Sequence, residues 1–593
     1  MTVKERIAAL RQLMTKRGVS AVIVPGTDPH GSEYVAKHWK ERNFISGFTG
    51  SAGTAVITTN KAGLWTDSRY FLQAEMQLQG SGIELFKEGL PETPSINAWL
   101  GKVLQPNDTV AINGTMISVN DYKQMSAELD FYQIKTDTSF DFISEIWTDR
   151  PELPTEKAFE LDIKFAGVSA VDKIKNVRKI LAEKKLDTLL LTALDEIAWL
   201  FNIRGNDIAY NPVVISYAVV SEKTAVLFVD ARKVTDKLKT SLSNNGVELQ
   251  SYNAVFEYLK QLSGAKMALD FGKANVSLYN IVKQHNDVRK LVSPIILMKG
   301  IKNEVELAGT RAAMVRDGVA LTHFFYWLDK HLADGNLTEM SVADKLREFR
   351  SREEYFFGES FGTIAGYAEH GAIVHYEADE QSNATLKAEN FLLLDSGAQY
   401  FDGTTDITRT IALGNLTDQQ KTDFTLVLKG HILLGTAKFP VETRGSQLDI
   451  LARKALWDNG LNYGHGTGHG VGHFLCVHEG PHNIRMNENP TTLRKGMVMS
   501  NEPGLYRSGL YGIRCENLVT VIDAEETEFG KFLCFETLTL FPFDLSAVKT
   551  DMLTNAEIEW LNAYHQRVYD KLSPFLNDEE KAWLLEKTKK IVC

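Results

Sequence analysis

Four carboxylates in the last third of the chain have a spacing that suits metal coordination. Asp395 ends the apolar run FLLLD, Asp406 lies on a following β-like run, and Glu502 and Glu516 lie on two successive predicted strands. Between these two pairs, the run YGHGTGHGVGHF offers several imidazoles. Four carboxylates and one imidazole form a ligand set for two divalent ions about 3.5–4 Å apart. Such oxygen-rich ligands suit Mn²⁺, with Co²⁺, Zn²⁺ and Fe²⁺ as alternatives.

The glycine-histidine run is the source of the imidazole. Glycine alternates with other residues there, so an extended chain places His465, Thr467 and His469 on one face. The glycines let the backbone approach another group closely. His473 and His482, by contrast, are interpreted as surface or packing residues. In an earlier segment, GAIVHYEA, a histidine at position 375 is predicted to end a short apolar strand.

Glu502 and Glu516 are predicted to be cross-strand neighbours. A tight turn around Ser508-Gly509 places them nearly opposite each other on two antiparallel strands. Two carboxylates that face each other at about 5 Å repel unless a cation lies between them. Arg514 precedes Glu516 by two residues, so it points to the same face and supplies a counter-charge.

The Asp395 and Asp406 pair does not fit the simplest turn. A two-residue turn at Asp402-Gly403 puts both side chains on one face but four residues out of register. At about 3.3 Å per residue, the resulting separation is about 13 Å, which is too long for a shared pair of ions. Either the turn lies nearer Tyr400-Phe401 or a bulge absorbs the slip. We predict a wider or bulged connection.

The elements that must position these residues follow a tandem pattern. Two N-terminal segments each contain a helix, a buried strand and a further strand followed by Asp-x-Arg, and this shared order predicts two related α/β domains. Recurrence of common α/β patterns without duplication is the alternative. A polar segment with two prolines, TDRPELPTEK, and a long helix over about 304–331 mark the boundaries. The predicted domains are 1–153, 154–303 and 304–593, the last ending in a helical tail whose Trp560, Leu561, Tyr564 and Trp583 are packing residues.

Composition argues against several classes of protein. The net charge of −11 and the lack of like-charge blocks argue against a nucleic-acid partner. The start of the chain lacks the apolar core of a signal peptide, and no apolar run of about 18 residues predicts a membrane span. No CxxC spacing occurs among the cysteines, which favours reduced thiols and a cytoplasmic location. The four cysteines are Cys476, Cys515, Cys534 and Cys593.

The order Asp-x10-Asp, Gly-His-Gly, Glu-Pro-Gly and Arg-x-Glu resembles the pita-bread metallopeptidases, which include methionine aminopeptidase, prolidase and aminopeptidase P. GAIVHY, DSGAQYFDGTTDITRT, HGTGHGVGHF, VHEGP and NEPG…GIRCEN are similar to the three-domain cytosolic aminopeptidase P, as is FISGFTGSAGTAVITTNKAGLWTDSRYFLQA near the N-terminus. The resemblance therefore spans nearly the whole chain. It implies an α/β fold of two tandem creatinase-like domains, followed by a pita-bread catalytic domain of α+β class.

The resemblance also implies a division of labour among the metal ligands. Asp395 matches a terminal ligand of one metal, and Asp406 and Glu516 match the ligands that bridge both metals. His469 and Glu502 match the ligands that complete the other metal's shell. All five positions of the family's ligand set are present.

The implied reaction is hydrolysis of the N-terminal Xaa-Pro bond by a metal-bridged hydroxide, with Glu502 as general base. His375, His465 and His478 match the family's substrate-side histidines: the first two are expected to contact the substrate carbonyl, and His478 and Arg514 to shape the proline side. The expected partners are peptides with proline at the second position and a second copy of the chain in a homodimer. Cys515, between Arg514 and Glu516, is expected to point into the core.

Two rival functions remain open on the sequence. A prolidase would use the same metals but cut only Xaa-Pro dipeptides, and the tandem N-terminal domains argue against it. A metal-free peptide-binding module would reuse the fold after its ligands decay. The presence of all five ligands argues against that alternative, because function resides in the site and not in the fold.

Overall fold

The computed structural model describes residues 1–592, which form two compact units. The first unit comprises residues 1–162 and 168–295. The second comprises the short segment 163–167 and the described chain from residue 296 onward. None of the helices within residues 1–592 has the combined length and apolar character that a membrane crossing requires.

The first part of the first unit is a six-stranded mixed sheet with helices. Its strands are β1 (Ala21–Pro25), β2 (Thr54–Thr58), β3 (Ala62–Thr66), β4 (Glu84–Lys87), β5 (Thr109–Ile112) and β6 (Lys135–Asp137), and its helices are α1 (Val3–Arg17), α2 (Glu41–Ser46), α3 (Phe71–Gln77), α4 (Ile96–Val103), α5 (Val119–Phe131) and α6 (Phe142–Ile146). The strand order is β4-β3-β2-β1-β5-β6. Helix α1 begins with a reciprocal Thr2–Glu5 capping box and buries Leu10 and Met14 against the sheet core.

The second part of the first unit repeats this arrangement. Its elements, with one short helix of the second unit included in chain order, are β7 (Phe159–Glu160), α7 (Ile163–Ala166, second unit), α8 (Ala170–Glu183), β8 (Thr188–Leu191), α9 (Leu194–Leu200), β9 (Ile203–Arg204), β10 (Ser216–Ser221), β11 (Ala225–Val229), α10 (Asp236–Asn244), β12 (Val247–Gln250), α11 (Ala254–Gln261), β13 (Lys266–Leu269), α12 (Val276–Val282) and β14 (Asp287–Lys290). The sheet order is β12-β11-β10-β8-β13-β14. Strands β7 and β9 form a separate antiparallel pair.

The two six-stranded sheets have the same topology. In each, the first strand pairs antiparallel with the second and parallel with the fifth, and the third pairs parallel with the fourth. In each sheet an aspartate follows the third strand, and an arginine lies two residues after it: Asp67 and Arg69 in the first, Asp230 and Arg232 in the second. Each aspartate carboxylate accepts hydrogen bonds from the backbone N–H and the guanidinium of that arginine. The shared order predicted for two tandem α/β domains is therefore confirmed. Their exact boundaries, at 153/154 and 303/304, stay a prediction.

The second unit combines long helices with several small antiparallel sheets. Its elements are α13 (Pro294–Gly300, whose first two residues belong to the first unit), α14 (Glu304–His331), α15 (Glu339–Arg350), β15 (Phe356–Glu359), β16 (Ile364–Tyr367), β17 (Phe391–Ser396), β18 (Ala398–Tyr400), β19 (Gly403–Thr404), β20 (Ile407–Ala412), α16 (Asp418–Gly435), β21 (Lys438–Pro440), α17 (Gly445–Trp457), β22 (Gly468–Gly470), β23 (Glu479–Ile484), β24 (Val498–Asn501), β25 (Gly504–Arg507), β26 (Tyr511–Arg514), β27 (Asn517–Thr527), β28 (Gly530–Thr537), α18 (Asn555–Leu572) and α19 (Asp578–Lys587). The largest sheet has the order β21-β28-β27-β24-β22-β23, and β16-β17-β20 forms a smaller one.

The long helix and the helical tail agree with the sequence. Helix α14 spans the predicted residues and starts with a capping box between Asn303 and Glu306. In the tail, Leu561 and Tyr564 are buried, and Trp560 and Trp583 pack against the same core cluster. The tail aromatics are therefore packing residues, as predicted.

Candidate metal centre

The first pair of predicted ligands lies where β17 and β20 separate. Asp395 is opposite Thr408 in the ladder, and Tyr400 is opposite Gly403 at the hairpin tip. Both pairings belong to one register, so the hairpin has no bulge and turns at Phe401-Asp402. Asp406 then lies two residues from the partner of Asp395, a diagonal neighbour at about 7–8 Å on the same face. The predicted wider or bulged connection is thus wrong. The turn lies one residue nearer Tyr400 than the simple turn at Asp402-Gly403, and one residue short of the alternative at Tyr400-Phe401.

The second pair is in the predicted cross-strand position. Asn501 is opposite Asn517, and Gly504 is opposite Arg514. One register therefore runs through both ladders and sets Glu502 opposite Glu516. The hairpin closes just beyond Arg507, where the φ of 72° at Gly509 allows the tight turn. The predicted hairpin is confirmed.

His469 lies close to one carboxylate of each pair. Its Nε2 lies 3.4 Å from Asp406 Oδ2 and 3.6 Å from Glu502 Oε1. Ligand atoms of Asp406, His469 and Glu516 all lie within 4.8 Å of one another. His469 sits on the short strand β22, whose ladder with β23 shifts register just after it. Irregularities of this kind are common in strands beside functional sites.

Arg514 is the counter-charge of the cluster, but it forms its ion pair with Asp395 and not with the neighbouring Glu516. The buried guanidinium donates from Nη2 to Asp395 Oδ2 at 2.6 Å. Its Nε donates to Thr408 Oγ1 at 3.1 Å, and that hydroxyl donates to Glu516 Oε2 at 2.6 Å. Arg514 therefore reaches Glu516 through Thr408. Thr408 and Tyr506, whose hydroxyl accepts from Arg514 Nη1 at 2.7 Å, are site residues that sequence reasoning missed.

The missed residues had a signal in the sequence. Thr408 follows Asp406 by two positions, and Tyr506 follows Glu502 by four, so strand alternation places each on the face of its ligand. Both are neutral hydroxyl-bearing residues of a kind that is common in strands. Their role follows from their contacts with Arg514, which lies more than one hundred residues from Thr408 along the chain.

The electrostatics of the cluster fit a cation. Burial, together with Asp406 and Glu502, raises the pKa of Asp395 to about 6 against the lowering effect of Arg514. Burial and the three neighbouring carboxylates raise the pKa of Glu516 well above its usual value. Burial lowers the pKa of His469, but Asp406 and Glu502 outweigh that effect and raise it to about 9. Asp395 Oδ1 is buried without a hydrogen-bond partner, so its lone pairs are available to a metal ion.

The three substrate-side histidines occupy different surroundings. His478 packs edge-on against His469, with ring centroids 4.3 Å apart. His465 accepts at Nε2 from Tyr506 at 2.8 Å, and its Nδ1 lies 2.7 Å from the carbonyl of Gly466. Burial lowers the pKa of His465 to about 4. Both ring nitrogens of His465 are therefore bonded within the protein.

His375 does not end a strand, contrary to the prediction. It lies in a turn after the short 3₁₀ helix Ala368–Ala372, one residue beyond Val374, whose carbonyl is 3.4 Å from Arg514 Nη2. A four-residue apolar run does not distinguish a strand from a buried turn. Here Gly371 packs directly on the backbone of Gly512, which favours the turn.

Two other histidines are packing residues and not surface residues. His473 and His482 are 2% and 1% exposed. His473 Nε2 lies 3.1 Å from the carbonyl of Phe165, and His482 Nε2 lies 2.9 Å from the carbonyl of Val498. Cys515 is buried in a core cluster, as predicted.

Metal binding is expected to stabilise the protein more at pH 7.5 than at pH 5.5. Asp395, with its pKa raised to about 6, is mostly protonated at the lower pH, and a metal ion must displace that proton. The raised pKa of Glu516 acts in the same direction. Thermal unfolding of the chelator-treated protein, with and without added Mn²⁺, measures the difference. An equal rise of the melting temperature at both pH values contradicts this expectation.

Models of known protein families match the chain in consecutive segments. Residues 6–141 and 149–306 each match the creatinase/prolidase N-terminal domain. Residues 308–523 match metallopeptidase family M24, and residues 531–591 match the C-terminal region of peptidase M24. The repeated match in the N-terminal half agrees with the shared topology of the two six-stranded sheets.

The chain is similar over almost its full length to known proteins. It is 43% identical to a probable Xaa-Pro aminopeptidase P from Laccaria bicolor, over 98% of this chain and 92% of the relative. It is 36% identical, with a TM-score of 0.96 and 100% of both chains covered, to a crystal structure of X-prolyl aminopeptidase from Caenorhabditis elegans, described as a cytosolic enzyme with a di-nuclear active site. An Xaa-Pro dipeptidase from Bacillus anthracis is 25% identical with a TM-score of 0.51, and covers 64% of this chain and 99% of its own.

Fold and site together define a metallopeptidase in which a pita-bread catalytic domain follows two creatinase-like domains along the chain. Full-length similarity at this level is far above what a shared fold alone produces. The chain belongs to metallopeptidase family M24, among the Xaa-Pro aminopeptidases.

Proposed function

We propose that this hydrolase removes the first residue from peptides that carry proline at the second position. The proposal rests on the convergence of ligand atoms of Asp406, His469 and Glu516 within 4.8 Å of one another. Asp395 and Glu502 lie on the opposite arms of the two hairpins that carry Asp406 and Glu516. The full-length similarity to Xaa-Pro aminopeptidases supports the substrate class.

Two divalent ions are the proposed cofactor, with Mn²⁺ as the first choice and Co²⁺, Zn²⁺ or Fe²⁺ as alternatives. Asp395, Asp406, His469, Glu502 and Glu516 would hold them. Bound there, the ions supply Lewis-acid chemistry and lower the pKa of a water molecule toward neutrality. The unpartnered Oδ1 of Asp395 and the mutual repulsion of the four carboxylates support this assignment.

The protein's own groups then divide the proton transfers and substrate contacts. Glu502 Oε1, which accepts from Ser500 Oγ at 3.2 Å, is proposed to take the proton of the attacking water and return it to the proline nitrogen. That nitrogen must be protonated to leave, because an unprotonated amine anion is a very poor leaving group. His375 is proposed to donate to the substrate carbonyl, and His478, beside His469, to line the proline side.

Arg514 and His465 are proposed to act through their protein contacts. Arg514 neutralises Asp395 and orients Tyr506, which in turn bonds His465. Since both nitrogens of His465 are bonded within the protein, its expected contact with the substrate carbonyl passes to His375. His465 therefore orients the wall of the site.

The second candidate function is that of a dipeptidase with the same metals. Similarity to the Bacillus anthracis dipeptidase covers only 64% of this chain, whereas the aminopeptidase match covers all of it. This difference in coverage favours the aminopeptidase. A metal-free binding module is disfavoured, because no ligand of the expected set is replaced.

A length series of substrates tests the proposal. Arg-Pro-Pro and longer Xaa-Pro peptides are expected to lose their first residue in the presence of Mn²⁺, and chelation is expected to stop the reaction. Gly-Pro is expected to be a poorer substrate than the tripeptide. Cleavage of Gly-Pro alone would assign the chain to the dipeptidases, and metal-independent cleavage would remove the metal centre from the mechanism.

We also propose that the protein is a cytoplasmic homodimer that acts without nucleic acid or membrane. The cytosolic description of the Caenorhabditis elegans enzyme and the pattern of cysteines support the location. The net charge of −11 argues against a nucleic-acid partner. The dimer rests on resemblance to the family, and a strict monomer with full activity in sedimentation would contradict it.

A further inference from the structure

Four buried polar side chains lie behind the metal ligands. We call Arg409, His431, Asn517 and Tyr564 the buried polar layer; they are 2%, 1%, 0% and 5% exposed. Arg409 follows Thr408 on β20, so strand alternation directs it away from the face that carries Asp406 and Thr408. The proposed catalytic steps use none of these four residues.

Arg409 joins the backbones of two residues in the site. Its Nη1 donates to the carbonyls of Thr408 and Glu516, whose side chains are hydrogen-bonded to each other. Its remaining bonds go to the carbonyls of Phe541 and Pro542, to Asn517 and to Tyr564, which are all neutral acceptors. A buried guanidinium bonded only to neutral groups is expensive. A conventional ion pair therefore does not account for its presence.

His431 of α16 reaches the other side of the same hairpin. Its Nδ1 lies 3.1 Å from the carbonyls of Asn501 and Cys515, the residues that directly precede Glu502 and Glu516. Its Nε2 lies 3.1 Å from Asn517 Nδ2. Because a guanidinium only donates, the Asn517 oxygen must face Arg409 and its amide must donate to His431. His431 then donates from Nδ1 to the two carbonyls.

Tyr564 connects this network to the C-terminal helix α18. Its hydroxyl lies 3.0 Å from Arg409 Nη2, which donates to it. The same hydroxyl lies 2.9 Å and 3.0 Å from the carbonyls of Phe541 and Thr539. One hydroxyl thereby links α18, the segment after β28 and the arginine behind Glu516. Replacing Tyr564 with Phe removes this hydroxyl and keeps a ring of the same shape in the core.

We propose that the buried polar layer positions Glu502 and Glu516 for metal binding, and that α18 contributes Tyr564 to it. Arg409 is then a positioning residue, because it acts on the ligands through their backbone. This inference rests on the metal centre of the proposed function, but not on the identity of the peptide substrate. It assigns the C-terminal tail a part in metal affinity.

Calorimetric titration of the metal-free full chain with Mn²⁺ tests the proposal. Arg409→Lys retains the charge but loses the planar fork, and we expect it to weaken Mn²⁺ binding by about 10- to 100-fold, as loss of an outer-shell partner commonly does. Tyr564→Phe removes one hydroxyl, and we expect a loss of about fivefold, the effect of one neutral hydrogen bond. If Arg409→Lys does not fold, Tyr564→Phe decides.

Tyr511→Phe is the matched control. It removes a hydroxyl from the same core cluster, where Tyr511 donates to Asp423, and it touches no ligand. We expect it to shift the melting temperature but leave Mn²⁺ affinity unchanged. If Tyr564→Phe behaves like this control, the layer is structural only and the proposal is overturned. Metal binding without Xaa-Pro cleavage would refute the proposed substrate and leave this inference standing.

Discussion

Glu502→Gln is expected to lower the turnover of an Xaa-Pro tripeptide by about 10²–10⁴-fold, the usual contribution of a general acid–base group. The amide has the shape of the carboxylate but cannot accept the proton of the attacking water. The carboxylate stands opposite Glu516 and 3.6 Å from His469, at the meeting point of both pairs of ligands. In the proposed mechanism this carboxylate takes the proton of the water and returns it to the leaving nitrogen. Steady-state assay of the metal-loaded variant measures the loss.

The loss of turnover reports on proton transfer only if the variant still holds metal, which inductively coupled plasma mass spectrometry measures. Glu536→Gln, at a carboxylate paired with Arg311 outside the ligand set, is the matched control and is expected to retain activity. A metal-loaded Glu502→Gln protein with ordinary turnover would contradict the role of Glu502 as general base. In that case proton transfer would have to be assigned to another group.

Glu516→Gln is expected to have two opposite effects. Loss of a predicted bridging ligand removes the paired metals and lowers activity by roughly a thousand-fold, since Lewis-acid stabilisation is worth about 4 kcal/mol. The metal-free variant, however, is expected to melt at a higher temperature than the metal-free parent at pH 7.5. Burial and three neighbouring carboxylates raise the pKa of Glu516, so its carboxyl destabilises the folded protein.

The sign of this stability change depends on pH. A carboxyl with a raised pKa in the folded state is destabilising above its unfolded pKa of about 4.3 and has no effect well below it. The gain in melting temperature should therefore be clear at pH 7.5 and small near pH 4. Thermal unfolding of both metal-free proteins at the two pH values measures it. A variant less stable than its parent at pH 7.5 would show that the carboxylate contributes favourable contacts that outweigh the repulsion.

Local signals explain which parts of the molecule could be read from the sequence. Helix α14 was predictable from its capping residue Asn303 and its length, and the Glu502–Glu516 pair from a turn signal at Ser508-Gly509. Both depend on residues close together in the chain. The tandem α/β order was likewise predictable, because each repeat carries its own strand and Asp-x-Arg signals.

The turn between the two aspartates could not be read in the same way. Gly403 suggests a turn residue, but it lies in β19 and its φ is not positive. A Cβ at this position would lie 3.0 Å from Ala313 Cβ and 3.1 Å from Thr310 Cα on α14. The glycine therefore permits close packing of the hairpin on a distant helix. No local pattern distinguishes that purpose from a turn.

The site residues differ in the same way, because some have local sequence signals and others depend on contacts between distant residues. Carboxylates at strand ends are visible in the sequence, as is the arginine two residues before Glu516. The ion pair of Arg514 with Asp395, by contrast, joins residues far apart in the chain. So does the buried polar layer, in which Arg409 and Tyr564 come from different elements. Contacts of this kind appear only when the chain is folded.

The unbulged hairpin at Phe401-Asp402 has a consequence for how such a protein can change over generations. Strand side chains alternate between two faces, so a slip of this ladder by one residue would turn Asp406 away from Asp395. A change in loop length is compatible with the site only where it leaves this pairing intact, and Asp402, which is 6% exposed and paired with Arg316, constrains the composition of the loop as well. The hairpin between Glu502 and Glu516 obeys the same arithmetic. Selection therefore acts on the register of both hairpins as well as on the ligands that they carry.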